Sequence, residues 1–157
     1  MGSGRGQRGT TLKRWKVFVA AAALVMAAGT IAPPPANAMM TLGNYDLLTN
    51  RYNRASWVWF ITACLPDRPL DCVYVSARPR LKFYAYYEGP AQLVDGRYTM
   101  TVDVPDGLQC PGQVLPTRET YSWDEVSLVG TIESHYNVGC FNGPPGMQFW
   151  TFKLQRL

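Results

Sequence analysis

The sequence predicts an all-β fold: an antiparallel meander of about eight strands, closed into a small β-barrel in preference to a two-sheet sandwich and stapled by two disulfides. Three observations predict it. From Leu42 onward, apolar residues recur with period two, and no run shows the three-and-four spacing of a capped amphipathic helix. Gly, Pro, Asn and Asp punctuate these runs at short intervals, as the turns of a meander require. Four cysteines, Cys64, Cys72, Cys110 and Cys140, lie in a short domain that reads as exported, where an even count implies a disulfide framework.

The export reading rests on the first 38 residues. Arg5, Arg8, Lys13, Arg14 and Lys16 form a basic stretch without an acid, and the apolar run Val17 to Ala32 follows. Pro33, Pro34 and Pro35 break that run, and Ala36-Asn37-Ala38 supplies small residues at a cleavage site. This order is that of a secretory signal peptide, with cleavage expected after Ala38. The run is shorter than the roughly 20 apolar residues a spanning helix needs, so no stable membrane span is expected after cleavage.

Removal of residues 1–38 leaves residues 39–157, a single domain of 119 of the 157 residues. Five of the 15 Lys and Arg residues go with the signal, leaving ten bases against 11 acids, a net charge of −1. The basic character of the chain therefore belongs to its address. The remaining domain has no nucleic-acid footprint and no polybasic membrane patch. It keeps 18 of the 20 aromatic residues, and rings suit strands and bury large areas.

The expected strands run in order along the chain. Asn44 to Asn50 opens the domain. Trp57 to Cys64 follows, apolar on both faces, with Trp57, Trp59 and Ile61 against Val58 and Phe60. Two-faced apolarity suits a central or barrel strand. Cys72 to Arg78 and Leu81 to Tyr87 come next, then a short strand from Ala91 to Val94. Arg97 to Val104 shows the cleanest alternation: Tyr98, Met100, Val102 and Val104 share one face. Glu119 to Trp123 follows. Glu125 to Glu133 is expected to place Val126, Leu128 and Ile132 inward, and Gln148 to Arg156 to do so with Trp150, Phe152 and Leu154. The expected turns are Glu88-Gly89-Pro90, Pro105-Asp106-Gly107, the segment Asn142 to Gly146, and Asp95-Gly96, which is the strongest two-residue hairpin signal.

The cysteines allow three connectivities. Pairing of neighbours, Cys64–Cys72 and Cys110–Cys140, is the expected one and gives loop-closure stabilisation of about 2.5 and 3.5 kcal/mol. Zinc or a redox centre would call for C-x-x-C spacings, which do not occur.

Catalytic constellations are scarce. His135 is the single histidine, and Ser122, Ser127 and Ser134 lie outside any G-x-S-x-G elbow. Asp124-Glu125 is the only adjacent carboxylate pair; Asp124 reads as a turn cap rather than a glycosidase acid. No phosphate loop, calcium loop or zinc motif appears, so neither a cofactor nor a metal is expected and the domain reads as a non-enzyme. The surplus lies in the rings. Trp57, Trp59, Tyr84, Tyr86, Trp123 and Trp150 are the candidate ligand-binding residues, lining a cleft or barrel mouth for an apolar or aromatic small ligand.

Short motifs also resemble small exported actinobacterial proteins, especially mycobacterial ones, without established activity. They are Gly43-Asn44-Tyr45, Thr49-Asn50-Arg51, Trp57 to Cys64, Cys72-Val73, Tyr121-Ser122-Trp123-Asp124, Leu128-Val129-Gly130-Thr131 and Gly139-Cys140 with Gly143-Pro144-Pro145-Gly146. The resemblance implies a secreted β-protein with two disulfides and brings no catalytic residue. The expected function is thus a non-catalytic ligand- or partner-binding protein of the extracellular space or cell envelope, its partner a small ligand or an envelope protein. The alternative is a secreted inhibitor presenting the disulfide-closed loop of residues 65–71.

Overall fold

Eight strands follow one another around a closed antiparallel barrel, each hydrogen-bonded to its neighbours in sequence and the last to the first. The computed structural model describes residues 40–51, 57–80 and 86–157. The strands are β1 (Gly43–Thr49), β2 (Trp57–Ala63), β3 (Cys72–Pro79), β4 (Tyr87–Val94), β5 (Arg97–Cys110), β6 (Gln113–Asp124), β7 (Val129–Tyr136) and β8 (Gly146–Arg156). Closure comes from β1 on β8, with Leu47 opposite Leu154 and Thr49 opposite Phe152. A sandwich would leave these strands as edges; closure removes them.

Two ends of the barrel follow from this topology. The entry end, where β1 begins, carries the β2–β3, β4–β5 and β6–β7 turns; the far end carries the β5–β6 and β7–β8 connections. Cys64–Cys72 closes the β2–β3 loop at the entry end. Cys110–Cys140 ties the tip of the β5–β6 hairpin to the β7–β8 connection at the far end. Both pairings are those expected, no described cysteine is free, and two disulfides are consistent with an oxidising compartment. Among the described residues no helix is long and apolar enough to cross a membrane.

Period-two alternation places the core where the pattern in β5 and β8 predicted. Tyr98, Met100, Val102 and Val104 are buried, as are Trp150, Phe152 and Leu154. Asp95-Gly96 forms the β4–β5 hairpin turn, with φ of 50° and 76°, the left-handed pair that a two-residue turn demands.

Three expectations are corrected, and a fourth falls mostly outside the described residues. Glu88-Gly89-Pro90 is not a turn but lies inside β4. Proline is tolerated there because the β4–β5 ladder pairs only Val94, Leu93 and Gln92, so no N–H is required of Pro90. Leu81 to Tyr87 was expected as a strand of its own; Tyr87 instead begins β4, and residues 81–85 lie outside the described residues. Pro105-Asp106-Gly107 is a bulge within a long β5, where the register on β6 breaks between Val104 and Leu108. The strand expected from Glu125 starts only at Val129, leaving Val126 78% exposed. Its cause is Asp124, whose carboxylate accepts the N–H groups of Val126 (3.1 Å) and Ser127 (2.7 Å) and bends the chain into a turn.

Candidate functional site

Of the candidate ring residues, the four tryptophans pack inside the barrel. Trp57, Trp59, Trp123 and Trp150 are all buried, Tyr86 is half-buried, and Tyr84 lies outside the described residues. β2, β4, β5 and β6 contribute rings to one continuous stack along the axis. Ring centroids run from Tyr98 to Trp123 at 5.4 Å, Trp123 to Trp59 at 5.4 Å and Trp59 to Tyr121 at 5.4 Å. The stack continues to Tyr87 at 5.3 Å, Trp57 at 5.5 Å and Tyr86 at 5.1 Å. Most contacts are tilted or edge-on, the geometry that ring quadrupoles favour. Trp59 also donates its indole N–H to the Tyr87 hydroxyl at 3.0 Å. Three of the six candidates therefore share the interior stack, Tyr86 closes one end of it, and Trp150 lies apart from it.

Beside the stack lies a buried ion pair that the sequence reading missed. Arg51, just past β1, turns into the barrel at the far end, and Glu119 reaches it from β6; both side chains are almost wholly buried. Arg51 Nη1 donates to Glu119 Oε1 at 2.9 Å and to Oε2 at 3.2 Å. Its Nη2 donates to the Gly107 carbonyl, and the guanidinium lies 4.1 Å from the Trp150 ring centroid. Glu119 accepts three further bonds, from Thr117 (3.0 Å), Tyr121 (2.6 Å) and Ser134 (3.2 Å). A buried carboxylate needs such a shell of donors to remain charged. A signal for an inward Glu119, though not for its partner, was present, since Thr117, Glu119, Tyr121 and Trp123 alternate along β6 on one face. Burial pushes the Tyr121 phenol well above its ordinary range, with the neighbouring Tyr87 and Glu119 acting the same way.

The cluster is paired internally. Its acid is paired, its hydroxyls donate to that acid, and both lie inside. A cavity of about 10 Å³ touches Arg51, Tyr87, Tyr121 and Trp57, space for about one water and too little for an organic ligand. Ser134 is part of the cluster, whereas His135 projects outward with Glu133 3.9 Å away. The remaining candidate serines do other work: Ser122 meets Arg97 on the surface, and the Ser127 N–H bonds to Asp124. No group of three or more His, Cys, Asp or Glu residues able to hold a metal occurs among the described residues.

The outer surface offers a different arrangement. The loop of residues 65–71 is exposed throughout, with Leu65 at 76% and Leu70 at 78%. It is nevertheless fixed. Cys64–Cys72 closes it, Arg68 N–H donates to the Cys64 carbonyl at 3.1 Å, and Cys72 N–H to that of Pro69 at 3.3 Å. Arg68 itself sits at φ 48° in the left-handed region.

No family model matches the chain, and no curated protein or solved structure shows significant similarity to it.

Proposed function

We propose that this chain is exported through a cleavable signal peptide and acts as a non-catalytic binding protein of the extracellular space or cell envelope, engaging a protein partner through its outer surface. One observation carries the reading. The interior is occupied by the aromatic stack and the Arg51–Glu119 cluster, while large aliphatic side chains stand on turns held by backbone hydrogen bonds. Recognition surfaces of this kind lose little entropy on binding because they are already ordered. The basic, apolar and small-residue order of residues 1–38 and the resemblance to exported actinobacterial proteins support the address. Native mass spectrometry of the protein secreted by an actinobacterial host tests it. The expected species begins at Met39 and carries no small organic adduct; retained residues 1–38, or a stoichiometric small ligand, would sink the proposal.

A second reading is favoured by the loop of residues 65–71: a secreted inhibitor presenting that loop. Its closed base and full exposure suit insertion into a protease cleft, whereas Pro69 directly after Arg68 counts against Arg68 as the bait residue. Titration against secreted serine and cysteine proteases decides it, and lack of inhibition across the set removes it.

A further inference from the structure

The entry end of the barrel is built as one continuous rim. Asp71 carbonyl accepts the Leu93 N–H at 2.7 Å, joining the β2–β3 loop to the β4–β5 hairpin. Gly96 carbonyl accepts the Glu125 N–H at 3.0 Å, joining that hairpin to the β6–β7 turn. Leu128 carbonyl accepts the Leu154 N–H at 2.9 Å, and Asn44 carbonyl accepts the Leu157 N–H at 3.0 Å, extending the series through β8 to β1. Successive turns are thus fixed to one another as well as to their strands. Each of the three turns also holds a non-glycine residue in the left-handed region: Arg68 (φ 48°), Asp95 (φ 50°) and Leu128 (φ 58°). Asp tolerates that conformation, but for Leu it is costly and is found where the surroundings impose it.

This rim displays aliphatic side chains that local folding does not require to be there. Leu65, Leu70, Val94 and Val126 are 76%, 78%, 66% and 78% exposed, and they come from all three turns. The charges among them are unbalanced. Among the described residues of this end, Asp67, Asp71, Asp95, Asp124 and Glu125 outnumber the guanidiniums of Arg68, Arg97 and Arg156, and Arg97 is engaged with Ser122. Backbone N–H groups hold the Asp124 carboxyl below its usual range, so it stays ionised.

We infer that the entry-end rim is a docking surface for a protein segment that is apolar at its centre and rich in Lys or Arg around it. The aliphatic tips supply contact area, and the acidic surround selects for opposite charge and against an anionic lipid surface. Rigidity keeps the ordering cost low. This inference rests on the binding-protein reading above and names its face and partner chemistry.

The test is a titration of the oxidised, isotope-labelled protein, residues 39–157, followed by amide chemical shifts. Three probes are used: a short amphipathic Leu/Lys peptide, its Leu/Glu counterpart, and vesicles of phosphatidylcholine with phosphatidylglycerol. The Leu/Lys peptide is expected to shift amides of residues 65–71, 94–97 and 124–128, and to weaken as salt rises. The double substitution Leu70→Ser with Val126→Ser, at exposed positions, should lower its affinity about tenfold or more. The Leu/Glu peptide should leave these amides in place. Equal binding of both peptides, shifts confined to another face, or binding to vesicles alone would overturn the inference. So would concentration-dependent shifts of the same amides without any probe, which would make the occupant a second copy. The binding-protein reading stands or falls separately, on the native mass of the exported protein.

Discussion

The Arg51 guanidinium and the Glu119 carboxylate meet 2.9 Å apart inside the barrel, with exposures of 2% and 0% for the two side chains. Removing one partner leaves the other as an uncompensated charge in a dry interior, which typically costs 3–5 kcal/mol, whereas removing both costs less. Arg51→Met and Glu119→Met should therefore each destabilise by about 3–5 kcal/mol. The double variant should fall well short of their sum. Urea unfolding of the four species forms the cycle, and additive losses would show that the two groups do not act as a pair.

Tyr121 donates to the same carboxylate at 2.6 Å, and its phenol is held well above the ordinary range, chiefly by burial. A raised folded-state pKa means that the folded protein keeps the proton after the unfolded chain has lost it. The stabilisation is complete below the unfolded value of about 10 and is lost as pH rises beyond it towards the folded value. Stability should fall from about pH 10 upward, and phenolate absorbance from Tyr121 should appear only with unfolding. In Tyr121→Phe that alkaline slope should be shallower, although stability at neutral pH is lower. An unchanged slope would assign the alkaline loss to other tyrosines.

The strands themselves were legible because period-two alternation and turn residues are local signals. Arg97 to Val104 and Gln148 to Arg156 appear with the predicted inner faces. Misreadings fell where a long-range partner overrides local chemistry. Pro90 stays in β4 because the ladder beside it stops at Gln92, and that depends on β5. Val126 points outward because Asp124 captures two N–H groups before β7 begins. The pairing of Arg51 with Glu119 was hidden for another reason: they are 68 residues apart, and a lone Arg after a strand reads as surface until closure brings Glu119 to it. The rings stand out in the sequence, but whether they line a cleft or fill a core depends on barrel diameter, which no single segment encodes.

Trp59 is fully buried and touches four other rings, among them Trp123 and Phe152. Trp59→Ala should cost about 3–5 kcal/mol. Because its surroundings are largely apolar, the space created should stay dry and admit a small aromatic molecule such as indole. The unsubstituted protein should show no such uptake. Isothermal titration with indole, together with thermal unfolding, checks both halves. Binding by the unsubstituted barrel would mean that its interior opens to ligands.

The two disulfides should contribute unequally. Cys64 and Cys72 are 8 residues apart and Cys110 and Cys140 are 30 apart. Loop closure then gives about 2.5 kcal/mol for the first and 3.5 kcal/mol for the second. Replacing Cys110 and Cys140 by Ala should lower stability more than replacing Cys64 and Cys72, as read from denaturant midpoints. The reverse order would show that fixing the exposed 65–71 loop contributes more than chain entropy.

Gly107 connects the bulge in β5 to the buried ion pair, because its carbonyl accepts from Arg51. A Cβ at this position would lie 1.7 Å from Thr117 Oγ1 and 2.7 Å from Thr117 Cβ, so even alanine cannot be accommodated without movement. Thr117 is buried and bonded to Glu119, which limits its retreat. The backbone at Gly107 must move instead, carrying the carbonyl away from Arg51. Gly107→Ala should therefore cost about 1–3 kcal/mol from overpacking, with a further loss from the disturbed guanidinium. In Thr117→Ala the hydroxyl clash is gone but the Cβ contact remains, so the double variant should recover part of the loss and no more. Full recovery would place the whole cost in the clash with the Thr117 hydroxyl and γ-methyl. No recovery at all would mean that the bulge, rather than Thr117, refuses the side chain.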